Sequence, residues 1–128
     1  MMKKVTTTII GGGFSGMICA ALIKENHGNI LLLERSDRLG KKLSATGNGQ
    51  GNLTNVNFGV SHYFTQSHNE REKIEKILSK ATDRELIKFF ESLGGLFSAD
   101  ERGRVYPTGR QASALTDLLR YYLRGRKA

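Results

Sequence analysis

Residues 5–10 form a short β-rich run (Val5, Thr6, Thr7, Thr8, Ile9, Ile10), and a glycine cluster follows at once. Beyond it Phe14, Met17, Ile18, Ala21 and Leu22 recur at the three-to-four-residue spacing of an amphipathic helix. A second apolar run, Ile30 to Leu33, ends in the acid Glu34. The order is strand, glycine turn, helix and acid-tipped strand, with Gly28 placed to stop the helix. Residues 56–68 have no clear period and read as an irregular connection. Residues 70–81 put Ile74, Ile77, Leu78 and Ala81 on one helical face. Thr82 and Glu85 form a capping box for a second helix that carries Leu86, Ile87, Phe89, Phe90 and Leu93 and stops at Gly94. Residues 96–107 alternate as a hairpin turning at 100–103, and Pro107 ends the pairing because proline lacks a ladder donor. A last helix over 111–123 has Leu115, Leu118, Leu119 and Tyr122 as its apolar stripe. The fold class is therefore α/β: a parallel sheet with a glycine-rich βαβ start, then a helical pair, a small hairpin and a C-terminal helix.

The glycine spacing adds chemistry to this outline. Gly11-x-Gly13-x-x-Gly16 follows a strand and opens a helix, and Glu34 lies about twenty residues further on. In that setting Gly11 permits the tight turn, Gly13 lets backbone N–H groups reach a pyrophosphate, and Gly16 lets the helix lie close on the sheet. Ala20, one turn on, keeps that contact close. The free N–H groups and positive dipole end of the first helical turn suit a diphosphate. Glu34 is placed to accept from a ribose hydroxyl, which favours FAD or NAD and repels the extra phosphate of NADP; Arg35 beside it blunts that preference. Residues 38–55, RLGKKLSATGNGQGNLTN, make a polar loop dense in backbone donors. It lacks the P-loop spacing, and its chemistry alone leaves open a cofactor loop or a surface excursion.

At these residues the chain resembles a known family. GGGFSGMICA, LLLERSDRLGKKLSATGNGQGNLTN and FFESLGGLFSADERGRVYPTGRQASALTDLL together look like the BaiN-like NAD(P)/FAD-dependent oxidoreductases, also described as aminoacetone oxidase family FAD-binding enzymes. The resemblance covers nearly the whole chain. It implies a Rossmann-like FAD-binding domain, an FAD cofactor, and an oxidoreductase with NAD(P)H as a possible electron donor and an unsaturated ketone as acceptor. An amine such as aminoacetone oxidised by dioxygen is the other implied chemistry. Carried over by position, Gly11, Gly13, Phe14, Ser15 and Gly16 contact the pyrophosphate and Glu34 the ribose. Arg35, Lys41 and Lys42 lie near the adenosine or phosphates, and Thr46, Gly47, Gly49, Asn52 and Leu53 near the flavin. The usual arginine and cysteine of the family loop are here Gln50 and Gly51. Family members are about three times longer, so the expectation is an incomplete N-terminal portion, residues 1–128, of the FAD-binding domain. Alone it is expected to be marginally stable, to bind FAD poorly, to expose apolar surface and to be inactive.

Composition narrows the alternatives. With 38% hydrophobic and 25% charged residues the chain is in the globular range. The single cysteine, Cys19, excludes an intramolecular disulfide and reads as a small buried side chain. The net charge of +8 would suit nucleic acid, but the excess gathers at Arg110, Arg120, Arg124, Arg126 and Lys127, where an acidic remainder would offset it. The partner expectation is a small-molecule substrate, with neither nucleic acid nor membrane. Lys3 and Lys4 followed by small apolar residues outline a secretory signal, but the glycines break it and Lys24-Glu25 stands where a cleavage region needs small residues. Cytoplasmic location is the default. His27, His62 and His68 lack metal-ligand spacing and read as surface residues. The rival from another class is a dinucleotide-binding module without turnover.

Overall fold

The computed structural model describes residues 4–26 and 29–125; Lys3, His27, Gly28, Arg126 and Lys127 lie outside them. Strand β1 (Thr7–Ile10) leads through the glycine turn into helix α1 (Phe14–Glu25), which returns the chain to β2 (Ile30–Leu33). β1 and β2 pair in parallel, with Thr7 opposite Ile30 and Ile10 opposite Leu33. This is the right order for a βαβ unit, because parallel neighbours need a crossover helix. After a 3-10 turn at Leu43–Ala45 come β3 (Thr54–Asn55), a second 3-10 turn at Val60–His62, α2 (His68–Leu78) and α3 (Asp83–Ser92). Strands β4 (Phe97–Ala99) and β5 (Arg104–Pro107) precede α4 (Ala112–Arg124).

The core lies where α1 and α4 meet. Met17, Ala21, Leu43, Phe90, Leu115 and Leu119 form one buried cluster, with Phe14, Leu32, Leu39 and Leu53 packed against it. Phe90 is its hub: it stacks on Phe14 at 6.1 Å between ring centroids and meets Phe89 and Phe97 edge-on at 5.4 and 6.1 Å. Thr116 is wholly buried, and its hydroxyl shares a hydrogen bond of 3.1 Å with Ser44. Lys24 reaches from α1 to the far end of α4. There it donates to the Tyr122 and Leu123 carbonyls and lies over the Tyr122 ring. A cation at that end suits the negative end of the helix dipole and adds a donor for carbonyls of the last turn, where the Gly125 N–H already reaches Tyr122.

The helical pair has the expected capping box. Thr82 Oγ1 accepts from the Glu85 N–H while the Glu85 carboxylate accepts from the Thr82 N–H. Other expectations change. The hairpin is the larger part of a three-stranded antiparallel sheet, because β3 pairs with β5 on the side opposite β4. Pro107 is the last paired residue, as expected, and the Thr108 N–H donates to the Leu96 carbonyl just beyond it. α2 stops at Leu78, so Ala81 lies beyond it and Ile77 is 64% exposed. The Cys19 thiol is also exposed, since Ser15, Cys19 and Leu22 share the face of α1 turned away from Met17 and Ala21.

In the β1–β2 pair Ile9 and Leu32 turn inward, whereas Ile10, Leu31 and Leu33 turn outward. Strands buried on both faces of a parallel sheet carry continuous apolar runs, and ILLL is such a run. Here its outer face is open, with Ile10 87% exposed. The expected exposed apolar surface is thus present.

Candidate functional site

The glycine turn builds the site from backbone. Gly11, at φ +105, swings the chain out of β1 in a conformation that side chains resist. A methyl group on Gly16 would overlap the Gly11 carbonyl, so the first turn of α1 sits directly on the end of β1 because position 16 has no Cβ. Gly13 is the N-cap of α1 and a Cβ there would meet nothing within 4 Å. No side chain caps this end, and the first turn carries no acidic residue. The entrance to α1 is therefore an open set of N–H groups at the positive end of a twelve-residue helix, which is an arrangement suited to an anion.

Glu34 faces the same turn. Its Oε2 accepts from the Gly12 N–H at 2.6 Å, and its Oε1 accepts from the Ser36 N–H at 2.7 Å and the Ser36 hydroxyl at 2.8 Å. These donors, first the Ser36 N–H, then its hydroxyl, then the Gly12 N–H, hold the Glu34 carboxyl at about 2, against 4.5 ordinarily. Glu34 is thus a fixed carboxylate at neutral pH. Each carboxylate oxygen can take two donors, so Oε2 keeps capacity for a hydroxyl.

Of the residues singled out by sequence, Gly11, Gly13, Phe14, Ser15, Gly16 and Glu34 come together here. Phe14 contributes only its backbone, since its ring is turned inward onto Phe90. Arg35, next to Glu34, and Lys42 are exposed, and Lys41 is paired with Asp37 at 3.2 Å. The second glycine loop is a separate construction. Gly47, Asn48, Gly49 and Gly51 all have positive φ, the Thr46 hydroxyl donates to the Leu43 carbonyl, and the loop rests on the start of α4 through the Ala112 N–H and Gly49 carbonyl. A Cβ at position 51 would stand 2.8 Å from Ala112 Cα, and Gln50 accepts from Arg110 at 3.2 Å. Asn52 and Leu53 line a cavity of about 920 Å³ together with Phe58, His62 and Phe89.

Sequence reasoning missed Gly12, Ser36 and Gly40. Gly12 is buried under Leu39, its N–H is held by Glu34, and its carbonyl accepts from the Gly40 N–H at 2.7 Å. A third consecutive glycine was the available signal. Ser36 had one too: a hydroxyl two residues after an acid is well placed to donate back to it. Among the described residues no cluster of His, Cys, Asp and Glu could hold a metal, and no helix is long and apolar enough to cross a membrane.

Residues 5–128 match the family model described as HI0933-like protein Rossmann domain. The chain belongs to this family. It is also 37% identical over 121 residues to a 3-dehydro-bile acid delta(4,6)-reductase of Clostridium scindens, covering 93% of this chain and 29% of that protein. Ribosomal RNA dihydrouridine synthases of Haemophilus influenzae and Escherichia coli are 24% and 32% identical over 98 and 66 residues. Those matches cover 77% and 52% of this chain, and 24% and 16% of the relatives. The chain thus spans under a third of the length of each of these three relatives. The family is one of oxidoreductase-like Rossmann domains, and a reductase is among the relatives of this chain.

Proposed function

We propose that this chain is the first part of an FAD-binding domain in a flavin-dependent reductase, and that its substrate is a small molecule with a carbon–carbon double bond conjugated to a carbonyl. The observation that carries the cofactor reading is the uncapped entrance of α1 with the Glu34 carboxylate fixed against the same glycine turn. The first turn of α1 binds the pyrophosphate through backbone N–H groups, and Glu34 accepts from the adenosine ribose. Gly11 and Gly16 hold the turn tightly enough for both to act on one ligand, and Arg35, Lys41 and Lys42 add positive charge nearby. Thr46, Gly47, Gly49, Asn52 and Leu53 belong to the flavin side, where the left-handed backbone of the second loop leaves Gly49 unobstructed for a flat ring.

The reaction class comes from what the relatives share. A 3-oxo steroid with 4,6-unsaturation and the uracil ring both carry an alkene conjugated to a carbonyl, and both relatives' names describe its saturation. When bound, the isoalloxazine supplies two-electron transfer from a nicotinamide donor to the acceptor, so that one π bond is lost and two C–H bonds form, one from hydride and one from a proton. A small-molecule substrate is favoured because the 37%-identical relative acts on a bile acid by name.

The test has two stages. FAD and ADP should compete for the 128-residue chain, whereas FMN, which lacks the adenosine, should not displace ADP. A longer polypeptide that begins with this chain should bleach its flavin absorbance with NADH or NADPH under anaerobic conditions and recover it with a conjugated enone. Flavin that resists reduction, or reoxidises only with an RNA substrate, contradicts the proposal.

A further inference from the structure

The side chain of Arg120 lies far from the glycine turn in sequence and is joined to it in space. Its Nε donates to the Leu39 carbonyl at 3.0 Å and its Nη2 donates to the same oxygen, while Nη1 meets Asp117 at 3.2 Å. The guanidinium side chain is only 21% exposed. Two donors on one carbonyl, with a carboxylate behind them, fix the Leu39–Gly40 peptide firmly to α4. The next group along that backbone, the Gly40 N–H, holds the Gly12 carbonyl at 2.7 Å, and Leu39 packs directly over Gly12. Position 40 is itself wedged, since a Cβ there would come 2.5 Å from Thr116 Cγ2 and 3.1 Å from Met17 Sδ.

The consequence for the site follows from peptide geometry. The carbonyl of Gly12 and the N–H of Gly13 belong to one peptide unit, and there are no cis bonds in the described chain. In a trans unit these groups point in opposite directions. With its carbonyl drawn toward Gly40, this unit must turn the Gly13 N–H away from the loop. The Gly12 N–H, on the preceding unit, is held by Glu34. The loop therefore sets the direction of the Gly13 N–H, while Glu34 at its start takes up the Gly12 N–H.

We infer that Arg120 is a positioning residue for the dinucleotide site, acting through Leu39 and Gly40 to aim the Gly13 N–H and to seat Gly12 against Glu34. The inference rests on the dinucleotide reading of the same turn. Neither helical periodicity nor the glycine motif marks this arginine, which lies on the last helix among surface charges.

The experiment compares Arg120→Met, which keeps the length and loses the donors, with Arg120→Lys, which keeps one. Unfolding midpoint, the Glu34 carboxyl titration followed by carbon-13 NMR, and the FAD dissociation constant are measured for each. The Met variant should weaken FAD by about tenfold and move the Glu34 midpoint up toward the ordinary carboxylate range, and the Lys variant should recover part of both. A folded Met variant with wild-type Glu34 titration and wild-type FAD affinity overturns the inference. If the Met variant does not fold, solvent exchange in the wild-type chain decides: FAD should slow the Gly40 amide and the Arg120 Nε–H, and unchanged exchange at both rejects the role. If a longer polypeptide that begins with this chain binds no FAD, the cofactor reading fails, while the Glu34 titration in the Met variant still decides whether Arg120 governs the turn.

Discussion

Replacing Gly13 by alanine separates what the ligand needs from what the fold needs. The backbone there has φ −75 and ψ −173, which alanine adopts without strain, and the added methyl would meet no atom within 4 Å. The cost to folding is then limited to a poorer N-cap, about 1 kcal/mol or less. The methyl instead projects into the open side of the turn, where the pyrophosphate has to approach the backbone. Forcing one methyl into a well-packed contact costs about 1–3 kcal/mol, so FAD affinity should fall by about tenfold or more. Gly109→Ala is the matched control, because a Cβ there also meets nothing within 4 Å and the residue is not part of the α1 turn. Isothermal titration with FAD, alongside urea unfolding of all three proteins, makes the comparison. A Gly13→Ala chain that binds FAD as tightly as wild type, at equal stability, would refute the claim that the pyrophosphate sits against this backbone.

Four further outcomes follow from the same structure. Gly16→Ala drives a methyl into the Gly11 carbonyl, a backbone group that cannot swing aside, so urea unfolding should show a loss of about 3 kcal/mol. Lys24→Met strips the donor from the Tyr122 and Leu123 carbonyls while keeping the stem, and should cost about 1–2 kcal/mol by the same assay. Thr82→Ala removes the cap of α3 and should cost about 1 kcal/mol, with a loss of helical circular dichroism. The Glu34 carboxyl lies at about 2 in the folded chain and 4.5 ordinarily. Its lowered value means that its stabilisation is complete above 4.5 and is lost as pH falls toward 2. Urea midpoints of wild type and Glu34→Gln should therefore converge below pH 4.5, and a constant gap at pH 7, 4 and 3 would contradict the hydrogen-bonded carboxylate.

The opening of the chain was legible because its signals are local. Three glycines at fixed offsets, an apolar run on each side and an acid at the end of the second run define a βαβ unit without help from distant residues. The capping box at Thr82 and Glu85 was readable for the same reason. β3 was not: it is two polar residues, and what makes it a strand is the distant partner pair Arg104 and Val105. Phe14 illustrates a different limit. Its place in the glycine motif gives its backbone a location, whereas only tertiary packing reveals that its ring belongs to the Phe90 cluster. Periodicity likewise credited Ile77 to a packed face, but α2 is rich in charge and presents few apolar groups to the core, so that residue stays in water. In the turn itself the backbone donors could be inferred, while the Gly12, Ser36 and Gly40 bonds that orient them depend on how one loop folds across another.

The most direct measurement is a nitrogen-15 NMR titration of the 128-residue chain with FAD, which registers weak as well as tight binding. If the diphosphate sits at the entrance of α1, the amides of Gly12, Gly13, Phe14, Ser15 and Gly16 shift together and saturate along one curve with the Glu34 carboxyl. Saturable shifts that leave those amides unmoved, or none at millimolar FAD in a folded chain, would contradict it.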